Sequence, residues 1–132
     1  MKFVPILVFA LMLTSRFIPA AKADRIRCSF TEPFLSTEYN MVNQTFTVVD
    51  SFSQYPKVFK TVVKSVRLEI KDSGVFQLRI ASGKIIQKLL LNHQGSDGMS
   101  GTVFPYEVTW TGHQNLVGGC VSDSLPAKVD SE

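Results

Sequence analysis

The sequence has no excess of charge of either sign once its first 23 residues are set aside. The whole chain of 132 residues carries 14 Lys and Arg against 11 Asp and Glu, a formal charge of +3. Three of the basic residues, Lys2, Arg16 and Lys22, precede position 24, so the rest has 11 of each sign. A basic surface for nucleic acid or for acidic lipid has no support in this balance, and we expect no nucleic-acid partner.

The sequence also lacks an apolar run of the roughly 20 residues that a transmembrane helix needs. Its longest run, Phe3–Leu13, follows a basic second residue and is followed by Arg16. The segment after it ends in Ala21-Lys22-Ala23. A basic start, a short apolar run and an A-x-A site are the three parts of a secretory signal peptide. We therefore predict a signal peptide over residues 1–23.

Cysteine is scarce, with only Cys28 and Cys120 in the chain. Two cysteines of an exported protein normally pair, whereas a free nucleophilic cysteine is the less common alternative. There is no C-x-x-C motif, and residues this far apart form no metal knuckle without histidine partners. Residues 24–27, Asp-Arg-Ile-Arg, do not match the run of small and apolar residues that precedes a lipid-modified cysteine. We predict one structural disulfide, no stable membrane anchor, and a periplasmic protein, with secretion as the alternative.

No segment keeps the 3.6-residue apolar period of an amphipathic helix, and alternation takes its place. Val66–Lys71 and Phe76–Ile80 each alternate apolar with polar residues, on either side of the turn Asp72–Gly74. This pattern predicts a β-hairpin. Ile85–Leu91 follows the next turn and is apolar enough to predict a third strand buried on both faces.

About eight strands are predicted within residues 24–121. They indicate a single all-β domain, a small antiparallel meander closed into a barrel, with a sandwich as the alternative. The irregular stretch Ser51–Thr61 predicts a loop or a bulged edge strand. Residues 122–132 are polar and predict a frayed tail. The remaining predicted strands are Tyr39–Met41, Phe46–Val48, Tyr106–Trp110 and Leu116–Val121.

The motifs of the common catalytic and cofactor sites are missing. The histidines His93 and His113 lack the spacing of a zinc site, although Asp97 or Glu107 could join them as ligands. There is no nucleophile elbow, phosphate loop or dinucleotide fingerprint. We therefore predict no catalytic residue, no metal and no cofactor. An enzyme using Asp97, Ser100, Glu32 or His93 ranks last among the hypotheses.

Two segments contain residues that an ordinary strand or turn does not need. In the first, Thr31–Ser36, Pro33 interrupts any strand ladder and holds the carboxylate of Glu32 beside the ring of Phe34. Glu32, Pro33 and Phe34 are its candidate binding residues. The second is the loop Gly95–Gly101, whose glycines permit positive φ and whose backbone N–H groups could form a nest for an anion or for a partner's carbonyls. Its apolar tip favours contact with a partner. The loop's candidate binding residues are Ser96, Asp97, Gly98, Met99 and Ser100.

These segments and two later dipeptides resemble an uncharacterised bacterial envelope family with T-E-P-F-W and S-D-G-M-S-D motifs, a Y-P strand and a terminal G-C. Leu35 stands in place of that tryptophan, Gly101 in place of the second aspartate, and Gly95 in place of a cysteine found in many members. The resemblance implies an envelope location and a small β domain, and the missing cysteine implies that Cys120 pairs with Cys28. The matching positions are Thr31–Phe34, Ser96–Ser100, Pro105-Tyr106 and Gly119-Cys120.

A second, architectural similarity is to the periplasmic inhibitors of c-type lysozyme, small exported β-barrels with a Ser-Gly loop that plugs an active site. Ser100-Gly101 followed by Tyr106 and Trp110 is similar to that layout. The leading hypothesis is a monomeric module that binds another protein, an envelope protein or a lysozyme-type enzyme, through the loop. The alternative is a carrier of a small apolar ligand inside a barrel.

Overall fold

The structure is a computed structural model that describes residues 24–31, 35–50, 59–112 and 114–129. The predicted signal peptide lies outside these residues. Within them the chain forms strands joined by short turns, as the alternation of apolar and polar residues predicts. In chain order the strands are β1 Arg25–Phe30, β2 Leu35–Asn40, β3 Thr45–Asp50, β4 Phe59–Val63, β5 Arg67–Asp72, β6 Val75–Arg79, β7 Ile85–Gly95, β8 Thr102–Trp110, β9 Leu116–Ser122 and β10 Lys128–Val129.

Nine of the strands form one antiparallel sheet in the order β4-β3-β2-β1-β9-β8-β7-β6-β5. All neighbours along this path are consecutive in the chain except β1 and β9, which pair in its centre. The short tenth strand pairs with the start of β8. The predicted hairpin of β5 and β6 is confirmed.

The predicted disulfide joins the two central strands. Cys28 of β1 and Cys120 of β9 lie directly opposite each other in the ladder, with their Cα atoms 4.0 Å apart. Both are fully buried. The register continues the same inward row to Thr37 of β2 and Tyr106 of β8, so the bond lies in the interior face of the sheet.

Large aromatic side chains fill the concave face of this sheet. The rings of Phe30 and Trp110 have centroids 5.2 Å apart, and Phe46 meets Trp110 edge-on at 6.1 Å. Burial of rings of this size supplies the main apolar contribution to folding in a domain of this length. The other buried members of the cluster are Ile26, Cys28, Tyr39, Val66, Leu78, Ile86, Leu89, Tyr106, Val108 and Cys120.

A polar contact in the interior joins strands that are not neighbours in the sheet. The amide of Gln87 on β7 donates to the hydroxyl of Thr37 on β2 at 3.0 Å, and both side chains are buried. Three strands separate β7 from β2 along the sheet. The sheet therefore curls until these two strands face each other.

The prediction of a closed barrel is wrong, because no ladder joins the end strands β4 and β5 within the described residues. Every pairing along the path is antiparallel, so strands an even number of places apart run in the same direction, and β4 and β5 do so. Only residues 64–66 connect them, so β5 continues the course of β4 and does not lie beside it. Over the described residues, the result is a single curled sheet whose end strands do not pair with each other.

Three further sequence expectations need correction or extension. The segment Ile85–Leu91 is not buried on both faces, because Lys88 and Leu90 are exposed on the convex face. The strand β10 lies in the segment predicted to be a frayed tail, and nearby Leu125 packs against the core. The predicted irregular stretch, Ser51–Thr61, overlaps the beginning of the edge strand β4, while residues 51–58 lie outside the described part.

Adjacent glycines on β9 allow rings to press on both of its faces. A Cβ at Gly118 would lie 2.2 Å from the carbonyl oxygen of Ser29 and 2.9 Å from the ring of Phe30. A Cβ at Gly119 would lie 2.6 Å from the ring of Phe104 on the opposite, convex face. Neither position has room for a side chain.

We predict that Gly118→Ala destabilises the protein by about 1–3 kcal/mol, because overpacking must displace a ring and a strand backbone. Urea unfolding measures the change. Gly101→Ala is the matched control, since a Cβ there has no neighbour within 4 Å. A Gly118→Ala variant within about 0.5 kcal/mol of the parent protein would contradict the packing described.

Candidate functional site: the loop Gly95–Gly101

A bulge at the end of β7 starts the loop. Leu91 pairs with Tyr106 and Gly95 pairs with Phe104, so residues 92–94 face only Pro105 on β8. Proline has no N–H to donate to a neighbouring strand. Because Pro105 lies opposite a bulge, where the regular hydrogen bonding between β7 and β8 is interrupted, the missing N–H costs no backbone hydrogen bond. The central residue, His93, has a φ of 55° and an exposed side chain.

Gly95 allows the chain to return close to β8 after the bulge. A Cβ at Gly95 would lie 2.0 Å from the carbonyl oxygen of Tyr106. No side chain fits there without a shift of the backbone of β8. This close approach fixes where the loop leaves the sheet.

Asp97 organises the loop from within. Its Oδ1 accepts the backbone N–H groups of Met99 at 2.9 Å and Ser100 at 2.8 Å, and its Oδ2 accepts the Ser100 hydroxyl at 2.8 Å. These hydrogen bonds, that from the Ser100 N–H above all, lower the pKa of the Asp97 carboxyl. Ser96 accepts the Gly98 N–H at 3.0 Å in the same way.

The predicted polar binding residues are therefore bonded to the loop's own backbone. The N–H groups of Gly98, Met99 and Ser100 point to side chains of the same loop, so these three are not free to form a nest for an anion. Such short-range bonds are typical of a self-satisfied turn. They give the loop a fixed shape.

The loop contacts the end of β1. Gly98 has a φ of 76°, and a Cβ there would lie 3.0 Å from Cγ2 of Thr31. Thr31 in turn donates its N–H to the Val117 carbonyl of β9 at 3.0 Å. We name the loop, Thr31 and Val117 together the apex. The structure thus brings the loop to the start of the first predicted segment, whereas Glu32, Pro33 and Phe34 lie outside the described residues.

The apex presents apolar side chains to solvent. Met99 is 66% exposed and Val117 is 47% exposed. The buried ring of Phe104, which follows the loop, rests over Gly119 of β9 and fixes the loop's second end. A loop whose polar groups satisfy each other and whose methionine points outward is suited to contact an apolar surface.

The described residues contain no cluster of three or more His, Cys, Asp or Glu side chains arranged to hold a metal ion. Of the histidines that the sequence analysis considered, His93 lies on the bulge and His113 is outside the described residues. Asp97 is engaged by Met99 and Ser100. The described part also contains no helix long and apolar enough to span a bilayer.

Comparisons with protein-family models, with curated proteins and with solved structures find no match to this chain. The apex is therefore characterised by its own geometry alone.

The sequence did not single out Val117, and it singled out Thr31 only as the first residue of the segment Thr31–Ser36, not as a candidate binding residue. Their proximity to the loop depends on the pairing of β1 with β9, which joins residues far apart in the sequence. The Gly118-Gly119 pair was the available signal. Two adjacent glycines in a strand mark a place where other groups approach closely.

We predict that the loop loses order below the ordinary pKa of an aspartate. Because the folded-state pKa of Asp97 is lowered, its hydrogen bonds are intact above the ordinary value of 3.8 and are lost as the pH falls through the lowered value. NMR titration of the Met99 and Ser100 amides measures the transition, and Asp97→Ala should raise their hydrogen-exchange rates about five- to tenfold.

Asn40→Ala is the matched control for this prediction. Asn40 accepts the N–H groups of Val42 and Asn43 at 3.0 and 3.1 Å in the turn between β2 and β3. That turn lies beside Asp24 at the start of β1, at the opposite end of the strand from Thr31. Unchanged exchange at Met99 and Ser100 in Asp97→Ala would contradict the role assigned to the carboxylate.

Proposed function

We propose that this protein is an exported binding module of the cell envelope, periplasmic in location, that recognises another protein through the apex. The observation that carries the proposal is the exposed Met99 side chain on a loop held rigid by Asp97. Pre-ordered loops lose less conformational entropy on binding than flexible ones. The signal-peptide pattern and the buried disulfide support export, since disulfides persist in oxidising compartments.

The sharpest form of this proposal is inhibition of a lysozyme-type enzyme. An inhibitor of this kind inserts a protruding loop into a substrate cleft. Ser100-Gly101 lies on an exposed loop directly after Met99, and this exposure supports the proposal. The single disulfide between β1 and β9 stabilises the strands on which the apex rests.

The alternative, a carrier of an apolar ligand, requires free space among the inward side chains. Phe30, Trp110 and Phe46 contact each other there, and the Gln87–Thr37 hydrogen bond crosses the interior. Inward positions occupied in this way favour a packed core over a ligand chamber. The described packing therefore favours the binding module.

We predict that the mature protein slows cell-wall lysis by at least one class of lysozyme and that Met99→Asp weakens this inhibition about thirtyfold or more. A charge at the centre of an apolar contact must be desolvated without a partner. Lysis rates measured against inhibitor concentration for lysozymes of several classes provide the test.

Val42→Asp is the matched control, because Val42 is 70% exposed at the other end of β1. Equal inhibition by Met99→Asp and by the parent protein would contradict the role of the apex. Unchanged lysis rates at micromolar protein for every lysozyme class would contradict the inhibitor form of the proposal.

A further inference from the structure

The edge strand β5 has backbone groups that face away from the sheet. The N–H of Val66, just before this strand, donates to the Gln44 carbonyl at 2.9 Å, and its carbonyl accepts the buried Tyr39 hydroxyl at 2.7 Å. That hydroxyl also receives the Leu68 N–H. A side chain and a turn thus replace a neighbouring strand at the beginning of β5.

Beyond the Leu68 N–H, no side chain or turn takes the place of a neighbouring strand along β5 in the described part of the chain. Because the N–H and C=O of alternate residues point to the same side of a strand, the Leu68 carbonyl and both backbone groups of Ile70 point away from β6. Among the residues that the structure describes, these groups have no hydrogen-bond partner. The Ile70 side chain is 73% exposed, a larger fraction than that of any other large apolar side chain among the described residues.

The side chains on the β5 edge of one copy of the protein are complementary in charge to those on the same edge of a second copy. Around Ile70 the order is Glu69, Ile70, Lys71. In an antiparallel pair of two β5 strands centred on Ile70, each Glu69 lies opposite Lys71 of the other chain and the two Ile70 residues lie opposite each other. In this register Ile70 forms the hydrogen-bonded pair, which is the arrangement that its outward N–H and C=O require.

We propose that two copies of this protein associate through their β5 edges, with the twofold axis at Ile70, into one continuous sheet. The sequence analysis expected a monomer, and charged residues on an edge strand often serve to prevent pairing. Here the charges on the two sides of Ile70 differ in sign, so the antiparallel register brings Lys71 of one copy opposite Glu69 of the other. The Glu69 carboxylate also accepts hydrogen bonds from Gln77 and Arg79 of its own chain, which hold it in place on this edge. This interface does not involve the apex and is independent of the proposed function.

Sedimentation equilibrium of the mature protein tests the association. We expect a reversible dimer whose dissociation constant increases at least about tenfold in Ile70→Pro, because proline removes both central donors. The intramolecular ladder is unaffected, since the Ile70 N–H points away from β6. Lys71→Glu, which places like charges opposite each other, should weaken the dimer as well.

The control is Val42→Lys, which adds a charge at a similarly exposed position away from this edge and should leave the dimer unchanged. Cross-linking tests the register, because Cα atoms of a hydrogen-bonded pair lie about 5.5 Å apart, within reach of a disulfide. The Ile70→Cys variant should form a covalent dimer under mild oxidation, and Val42→Cys should not.

Several outcomes would overturn the proposal. A parent protein that stays monomeric up to about 1 mM excludes even a weak interface of this kind. A dimer of undiminished affinity in Ile70→Pro places the contact elsewhere. Binding of another polypeptide at β5 by a monomeric parent protein would assign the edge to a different partner.

Discussion

The pairing of β1 with β9 is the contact on which the rest of the structure depends. It brings the beginning and the end of the described chain together in the centre of the sheet and divides the other strands into two consecutive groups. The Cys28–Cys120 bond crosses this pair. Bringing together two strands so far apart in the sequence costs conformational entropy on folding. The disulfide holds the two ends together in the unfolded chain as well, so less entropy is lost when the chain folds.

The same strand pair positions the candidate site. Thr31 directly follows β1 and donates its N–H to Val117, so the loop Gly95–Gly101 contacts a junction of distant parts of the sequence. Gly118 and Gly119 leave room on β9 for Phe30 on one face and Phe104 on the other. Core packing and loop placement therefore depend on the same few residues, and loosening β9 would disturb both.

The features predicted correctly from the sequence are local ones or follow from counting. Alternation located the β5–β6 hairpin, and the presence of two cysteines in a chain predicted to be exported implied their bond. Closure was predicted wrongly because alternation does not specify which strands pair at the sheet's ends. Gln87 was read within a buried apolar strand, yet its amide bonds Thr37 across the interior. At the candidate site, the glycine-rich local sequence of the loop pointed to Asp97 and Met99. The contact between the loop and Thr31 depends on the pairing of distant strands, which the local sequence does not specify.

The most direct test of this account is the stability of a Cys28→Ala/Cys120→Ala variant in urea. A link across a sequence separation of 92 residues between the central strands is expected to contribute about 4 kcal/mol to the free energy of unfolding. We expect a loss of that order, with faster hydrogen exchange at Thr31 and Met99. A loss below about 1 kcal/mol, with exchange at the apex unchanged, would contradict the central role of the β1–β9 pair.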